Sequence, residues 1–274
     1  MRIPGLFFLF VSLILLVRCS ADESSDTGSE TALTATTYTF ERLSPGCQGD
    51  STNCASFSVR YPMLTQNGDS AVLKRINQAI QNEAKQALWV GEPGQDVTGI
   101  SLDEMSAQFF TDYQQVQQES ARHPMPWVVE AEGELVFQSE QLINVAMRSY
   151  QFTGGAHPNS YTAFLNFDRK TGQPLQWEDI LIDSTAFVNL AEQQFRRARQ
   201  IGSNTSLDQA GFFWGGSFHP PANFSLEENG LRLFYNNYEI APYALGPTDF
   251  VIEYHQLSDV IKPRFIAEAE QNRE

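Results

Sequence analysis

The chain has 274 residues, 33 acidic against 18 basic for a formal charge of −15, with 42% hydrophobic and 12% aromatic side chains. That apolar content excludes a wholly disordered chain, and three cysteines exclude a disulfide-dense miniprotein. The acidic balance excludes the clustered basic footprint that grips a phosphate backbone, so no nucleic-acid partner is expected.

The chain opens on a targeting signal. Arg2 supplies positive charge, and residues 6–17 (LFFLFVSLILLV) form an apolar run broken only by Ser12. This suits a signal-peptide core and falls short of the roughly 20 residues that span a bilayer. Leu16-Val17-Arg18-Cys19 resembles a bacterial lipobox, which would make Cys19 the lipidated N-terminus, although Arg18 stands where a small residue is usual. Cleavage after Ala21 is the alternative, and an uncleaved anchor a third. Cysteine arithmetic favours lipidation. Cys47 and Cys54, in the polar stretch CQGDSTNC, read as a disulfide in an oxidising compartment, which leaves Cys19 over. A ring so small stabilises by about 2–3 kcal/mol. Residues 1–19 are thus taken as a lipoprotein-type signal and 20–36, small, polar and acidic, as a disordered tether. Loss of Arg2 and Arg18 leaves 16 basic against 33 acidic residues, or −17. Anionic headgroups repel such a surface, so membrane contact is expected through the lipid anchor only, whereas a cationic partner is attracted.

From Thr37 the pattern alternates. Residues 37–43 and 55–64 read as strands flanking the disulfide loop. A helix follows, with Val72, Ile76, Ile80, Ala84 and Leu88 on one apolar stripe. A second starts at Ser101, where Ser-x-x-Glu with Glu104 makes a capping box, and ends before His123-Pro124. Residues 125–131, 135–139 and 142–152 read as a strand meander, with Glu132-Gly133-Glu134 as a turn. After TGGAHPN, residues 160–168 form another strand. Residues 184–201 read as a helix with Phe187, Ala191 and Phe195 inward, and 202–223 as a Gly-, Pro- and aromatic-rich loop. Strands at 231–235 and 250–255 bracket NYEIAPYALGPT, and 258–269 reads as a terminal amphipathic helix. Hairpin spacing mixed with helices points to an α+β chain of two modules, with mainly antiparallel sheets packed by amphipathic helices. The boundary falls between about 140 and 160.

No residue pattern declares a reaction. His123, His157, His219 and His255 stand at no metal-ligand spacing, and no G-x-S-x-G or C-x-x-C occurs, so no metal, no cofactor and no catalytic residue is assigned. Glu130/Glu132/Glu134 and Glu178/Asp179 read as solvated faces and turns. Trp127, Trp177 and Trp214 read as core more readily than as sugar platforms. The sequons at Asn204 and Asn223 matter only in a eukaryotic secretory host. The sharpest local signal is TGGAHPN: Thr153, Gly154, Gly155, His157 and Pro158 form a backbone-rich loop, either a tight strand exit or a surface offered to a partner. In NYEIAPYALG, Tyr238, Pro242 and Tyr243 are amphipathic, low-entropy groups that suit an interface or packing against a sheet.

YQFTGGAHPNSY (150–161), FLNFD (164–168) with TGQPLQWEDI (171–180), and FYNNYEIAPYALG (234–246) together resemble a bacterial domain family of largely unknown function. The family is shared by the extracytoplasmic, lysozyme-sensing part of the anti-sigma factor RsiV and the accessory module of the peptidoglycan deacetylase PdaC. The resemblance implies a PdaC-like N-terminal module over 37–145, an RsiV-like C-terminal module over 146–269, and a binding role. Neither an anti-sigma segment nor a deacetylase domain is expected, so no activity carries over. The expectation is an extracytoplasmic, membrane-anchored lipoprotein on the periplasmic side that is not an enzyme. Its partner would be a cell-envelope protein, such as a lysozyme-like hydrolase, or peptidoglycan. An envelope hydrolase using His157 with a carboxylate is the second reading.

Overall fold

The computed structural model describes residues 33–47, 54–66, 69–119 and 125–266. The signal segment, Cys19, most of the tether and His123 lie outside the described residues. Cys47 and Cys54 are disulfide-bonded, with their Cα atoms 5.9 Å apart.

The first sheet has five strands in the order β1 (Thr34–Leu43), β2 (Ser56–Gln66), β3 (Val128–Gln138), β4 (Leu142–Phe152) and β5 (Asn159–Asp168). Every pairing is antiparallel except β2 with β3. A parallel pair needs a crossover. Here it consists of α1 (Ser70–Leu88) and α2 (Leu102–Glu119), which pack on one face of the sheet. Both helices start where side chains satisfy their first free N–H groups. Asp69 accepts from the Ala71 and Val72 amides at the head of α1. Ser101 and Glu104 close the expected capping box at α2, with the Ser101 amide donating to Glu104 at 2.8 Å and the Glu104 amide donating to Ser101 at 3.2 Å. Leu73, Ile76, Ile80, Ala84 and Leu88 of α1 then meet Phe57, Val59, Tyr61, Ile143, Val145 and Met147 of the sheet in one core.

The second sheet is a three-stranded meander of β6 (Phe224–Glu227), β7 (Gly230–Tyr235) and β8 (Thr248–Glu253). It is covered by α4 (Ser184–Ala198), which follows the short α3 (Trp177–Ile180). Phe187, Ala191 and Phe195 point inward as the spacing predicts, and Phe195 forms edge contacts with Phe212, Phe213, Tyr235 and Phe250. The architecture is α+β, with one mixed and one antiparallel sheet.

Two sequence expectations give way, and one strand appears where none was assigned. The Glu132-Gly133-Glu134 turn is strand: β3 runs straight through it. Gly133 is there because a Cβ would come within 2.7 Å of the Tyr61 Cβ, so the glycine marks close approach rather than reversal. Phe224–Glu227, unassigned in the sequence reading, forms β6. The terminal helix over 258–269 does not form through its described part: α5 (Tyr254–Leu257) ends after one turn, taking His255 out of the expected strand. Lys262-Pro263 opens a separate 3-10 turn, because the Lys262 amide donates instead to the Ile180 carbonyl and Ile261 bridges to Leu181.

The two sheets meet at the open edge of β5, and side-chain amides close it. Asn223 accepts from the Phe164 amide at 2.8 Å and donates to the Thr162 carbonyl at 2.7 Å. Asn236 accepts from the Thr162 amide at 2.8 Å and donates to the same carbonyl. From the other side, buried Asn166 donates to the Phe224 carbonyl and accepts from the Leu226 amide, while buried Asn144 donates to the Leu226 carbonyl. The amides of Asn223, Asn236 and Asn166 each reproduce the donor–acceptor pair of a backbone rung, whereas Asn144 only donates and its buried Oδ1 has no partner among the described residues. The seam also explains why β4 is buried on both faces from Leu142 to Met147. Ile143, Val145 and Met147 belong to the first core, whereas Leu142 belongs to the second and Asn144 to the seam. A position expected as the boundary, 145/146, therefore falls inside a strand. At Asn223 a glycan would break the seam.

Asn166→Ala leaves the Phe224 carbonyl and the Leu226 amide buried without this partner. It should destabilise the protein by about 2–4 kcal/mol in urea unfolding; a change within about 0.5 kcal/mol would show that the seam does not hold the sheets.

Candidate functional site

TGGAHPN forms the tip of the β4–β5 hairpin. Gly154 and Gly155 adopt φ of 86° and 126°, left-handed backbone that a side chain would strain, and a Cβ at Gly154 would lie 3.4 Å from the Trp127 indole nitrogen. The loop leaves the sheet there and carries His157 out to solvent beside Pro158.

EIAPY approaches from the other sheet. Tyr238 takes φ of 66°, rare for a residue with a side chain, in a turn closed by the Glu239 amide on the Asn236 carbonyl and the Asn236 amide on the Glu239 carboxylate. Pro242 precedes a 3-10 turn, Tyr243–Leu245, held by Arg199, which donates to the Leu245 and Gly246 carbonyls. The Phe213 amide donates to the Ile240 carbonyl, tying the 202–223 loop to the same end.

The fold brings the two motifs together. The His157 ring stacks on Tyr243 with centroids 3.8 Å apart and planes 13° apart. The Tyr238 hydroxyl lies 3.2 Å from His157 Nε2, and the Tyr243 hydroxyl donates to the Pro158 carbonyl at 3.2 Å. His157 Nδ1 is 3.0 Å from that carbonyl. A carbonyl only accepts, so the neutral ring carries its proton on Nδ1, and Nε2 accepts from Tyr238. Tyr238 remains 53% exposed. These rings pack on one another at the surface rather than in the core. Thr153, Gly154 and Gly155 precede the stack on the hairpin tip, and Pro242 sets the turn from which Tyr243 projects.

The other candidates are placed elsewhere. The His219 ring packs edge-on against Phe213 and Tyr235, and His255 pairs with Glu253 on the surface. Glu132 and Glu134 pair with Arg60 and Arg148 on the exposed sheet face. Trp177 is core, stacked on Phe224 at 3.9 Å, and Trp127 packs against Phe109 and Tyr113. Trp214 is not core: it is 60% exposed, at φ of 38°. Among the described residues no cluster of three or more His, Cys, Asp or Glu side chains is set to hold a metal ion, and no helix is long and apolar enough to cross a membrane.

Two carboxylates that act on Tyr161 had no signal in the sequence, because nothing in their spacing distinguishes them. Burial lifts the Glu239 carboxyl above its usual range, against the opposing pull of the Asn236 amide and of His219. Burial also lifts Glu83, on α1. Tyr161, on β5, has its hydroxyl pushed up first by burial and then by both carboxylates.

Residues 48–160 match the family described as Deacetylase PdaC, and residues 178–255 match the family described as Protein of unknown function (DUF3298). A curated relative, the peptidoglycan-N-acetylmuramic acid deacetylase PdaC of Bacillus subtilis (strain 168), is 21% identical over 139 residues, covering 49% of this chain and 29% of its own length. The chain thus spans less than a third of that relative. A DUF3298-family structure from Bacteroides fragilis NCTC 9343 superposes with a TM-score of 0.69 at 19% identity, covering 88% of this chain and 98% of that one. Another, from Pseudomonas aeruginosa PAO1, gives 0.62 at 22%, covering 85% and 96%. The resemblance read from the motifs holds, and the solved structures share the fold. The histidine of the stack lies in the first matched segment, and its two tyrosines lie in the second.

Because Glu239 binds its proton more tightly folded than unfolded, folding takes up protons across the interval above the ordinary carboxylate pKa of about 4.3. Stability contributed at this site therefore falls as pH rises through that interval. Glu239→Gln should unfold at a higher temperature than the parent at neutral pH, with the difference vanishing below that pKa. A pH-independent difference between the two melting curves would contradict the assignment.

Proposed function

We propose that the chain is a non-catalytic binding module outside the cytoplasm, tethered by a lipid on Cys19, which recognises a cell-envelope ligand. That ligand is a basic, lysozyme-like wall hydrolase or peptidoglycan. The observation that carries this reading is the exposed stack of His157, Tyr238 and Tyr243, assembled from loops of both sheets. Preassembled aromatic groups with polar tips lose little entropy on binding, which is why Tyr is enriched among interface hot spots. The name of the curated relative adds support, since that protein acts on peptidoglycan N-acetylmuramic acid. The charge of −15 favours a cationic protein partner by long-range steering.

The hydrolase reading has less behind it. Both His157 nitrogens face neutral oxygens, those of Tyr238 and Pro158, and among the described residues no carboxylate lies within ion-pair distance of the ring.

Lysozyme and purified wall sacculi are the two probes. Saturable binding of either at physiological salt is expected, weakened by about tenfold or more in Tyr243→Ala, the cost of about 1.4 kcal/mol typical of a hot spot. Binding to neither probe would remove the reading. Wall-degrading activity that disappears in His157→Ala, with the fold intact, would replace it with the hydrolase.

Anchoring is tested separately. Cys19→Ala should move the protein from the membrane fraction to the soluble one; an unchanged distribution rules out the lipid anchor.

A further inference from the structure

The loop stack leaves unused a cleft of about 520 Å³ between the C-terminal half of α1, the turn at residues 89–94, and the ends of β4 and β5. Glu83, Trp89, Ser149, Gln151, Asn159 and Tyr161 line it.

Its walls are set in advance. The Trp89 indole N–H donates to the Glu92 carbonyl at 3.0 Å, and the ring lies so close to Gly91 that a Cβ there would come within 2.3 Å of it. Any other residue at 91 would displace the indole. Gln151 donates from β4 to the Ala87 carbonyl at 2.8 Å and to the Trp89 carbonyl at 3.3 Å, pinning the helix end and the turn to the sheet. Across the cleft, Tyr161 is 45% exposed.

Glu83 is half-buried, and among the described residues its carboxylate has no hydrogen-bond donor and no cation. Burial therefore acts on it unopposed, and its charge reaches the Tyr161 hydroxyl. A partly dehydrated carboxylate in a cleft that it lines together with Trp89 and Tyr161 is unfavourable alone. It complements a positive charge on an apolar stem, which gains Coulomb attraction and cation–π contact at once.

We propose that this cleft binds an organic cation, a guanidinium or primary ammonium on an aliphatic stem, with Glu83 as counter-ion and Trp89 and Tyr161 as aromatic walls. The cation arrives either as a free polyamine or as an arginine or lysine side chain of a basic polypeptide. The net negative charge of the chain raises the local concentration of both.

Calorimetric titration of the mature protein with N-acetylarginine amide, spermidine and a short arginine-containing peptide tests the assignment. The neutral citrulline analogue and chitotriose serve as controls. The arginine probe should bind saturably, and the citrulline analogue about tenfold more weakly or worse, since it keeps the shape and loses the charge. Glu83→Gln and Trp89→Ala should each weaken the cation by about fivefold or more, while Trp89→Phe retains most of the affinity. A cooperative thermal transition in each variant confirms that it is folded. Tighter binding by the peptide than by the free amide assigns the source to a polypeptide, and spermidine binding tighter than both assigns it to a polyamine. Absence of saturation by every cation, equal binding of citrulline, or full affinity in Glu83→Gln overturns the proposal. So does chitotriose binding that Glu83→Gln leaves intact, which would make the cleft a glycan site.

Discussion

The structure depends on how one sheet edge is closed. A strand such as β5, paired on one side only, presents a row of backbone donors and acceptors that other chains can extend. Here the second sheet does not continue the ladder. It meets β5 through the amides of Asn223 and Asn236, while Asn166 and Asn144 reach back to β6. An amide offers a donor and an acceptor on one rigid plane, so it satisfies backbone groups while leaving the two sheets free to cross at their own angle. The device recurs away from the seam: Asn77 of α1 donates to and accepts from Leu64 of β2, and Gln138 does the same for Leu33. The cost of this arrangement is specificity of residue. A hydrophobic substitute keeps the packing but strands two buried backbone groups.

That seam also determines where the loops go. With β5 held against β6 and Asn236 bonded to Thr162, the β4–β5 hairpin tip and the 237–246 loop must emerge side by side. Their contact is then geometrically forced rather than accidental. The left-handed backbone at Tyr238 and the Arg199 bonds to the Leu245 and Gly246 carbonyls hold one partner, and the glycines of the hairpin let the other bend to meet it. Local strain at Tyr238 is sustained because the turn around it is bonded at both ends.

Two carboxylates act on Tyr161. On the exposed face of the first sheet Glu132 has Arg60 as its partner and Glu134 has Arg148. Glu83 instead stays partly dehydrated without a cation among the described residues, and Glu239, which keeps the Asn236 amide as a donor, acts with it on the Tyr161 hydroxyl. Burial of that kind costs stability, and proteins retain it where a ligand or partner supplies the missing charge. Tyr161 links the two regions, since the charges of Glu83, in the cleft, and of Glu239, next to Tyr238 of the stack, both reach its hydroxyl.

The α+β class, the cap of α2, the inward faces of α1 and α4, and the disulfide all follow from local pattern: periodicity, a capping box and cysteine spacing are properties of neighbouring residues. The two motifs were likewise visible, since Gly-Gly before His-Pro and Tyr around Pro are unusual sequences on their own. Their stacking was not visible, because 86 residues separate His157 from Tyr243 and only the β5 seam cancels that distance. Gly133 misled for a related reason: a glycine that permits close approach of Tyr61 looks, along the chain, the same as one that permits a turn. β6 escaped because four residues carry too short an alternation to register, and its partners are side chains remote in sequence. Glu83 and Glu239 gave no signal among 33 acidic residues, since what sets them apart is dehydration. Local chemistry therefore determined which elements and which loops exist, whereas the tertiary structure alone decided which loops touch and which charges lose their water, because contact and burial are relations between distant parts of the chain.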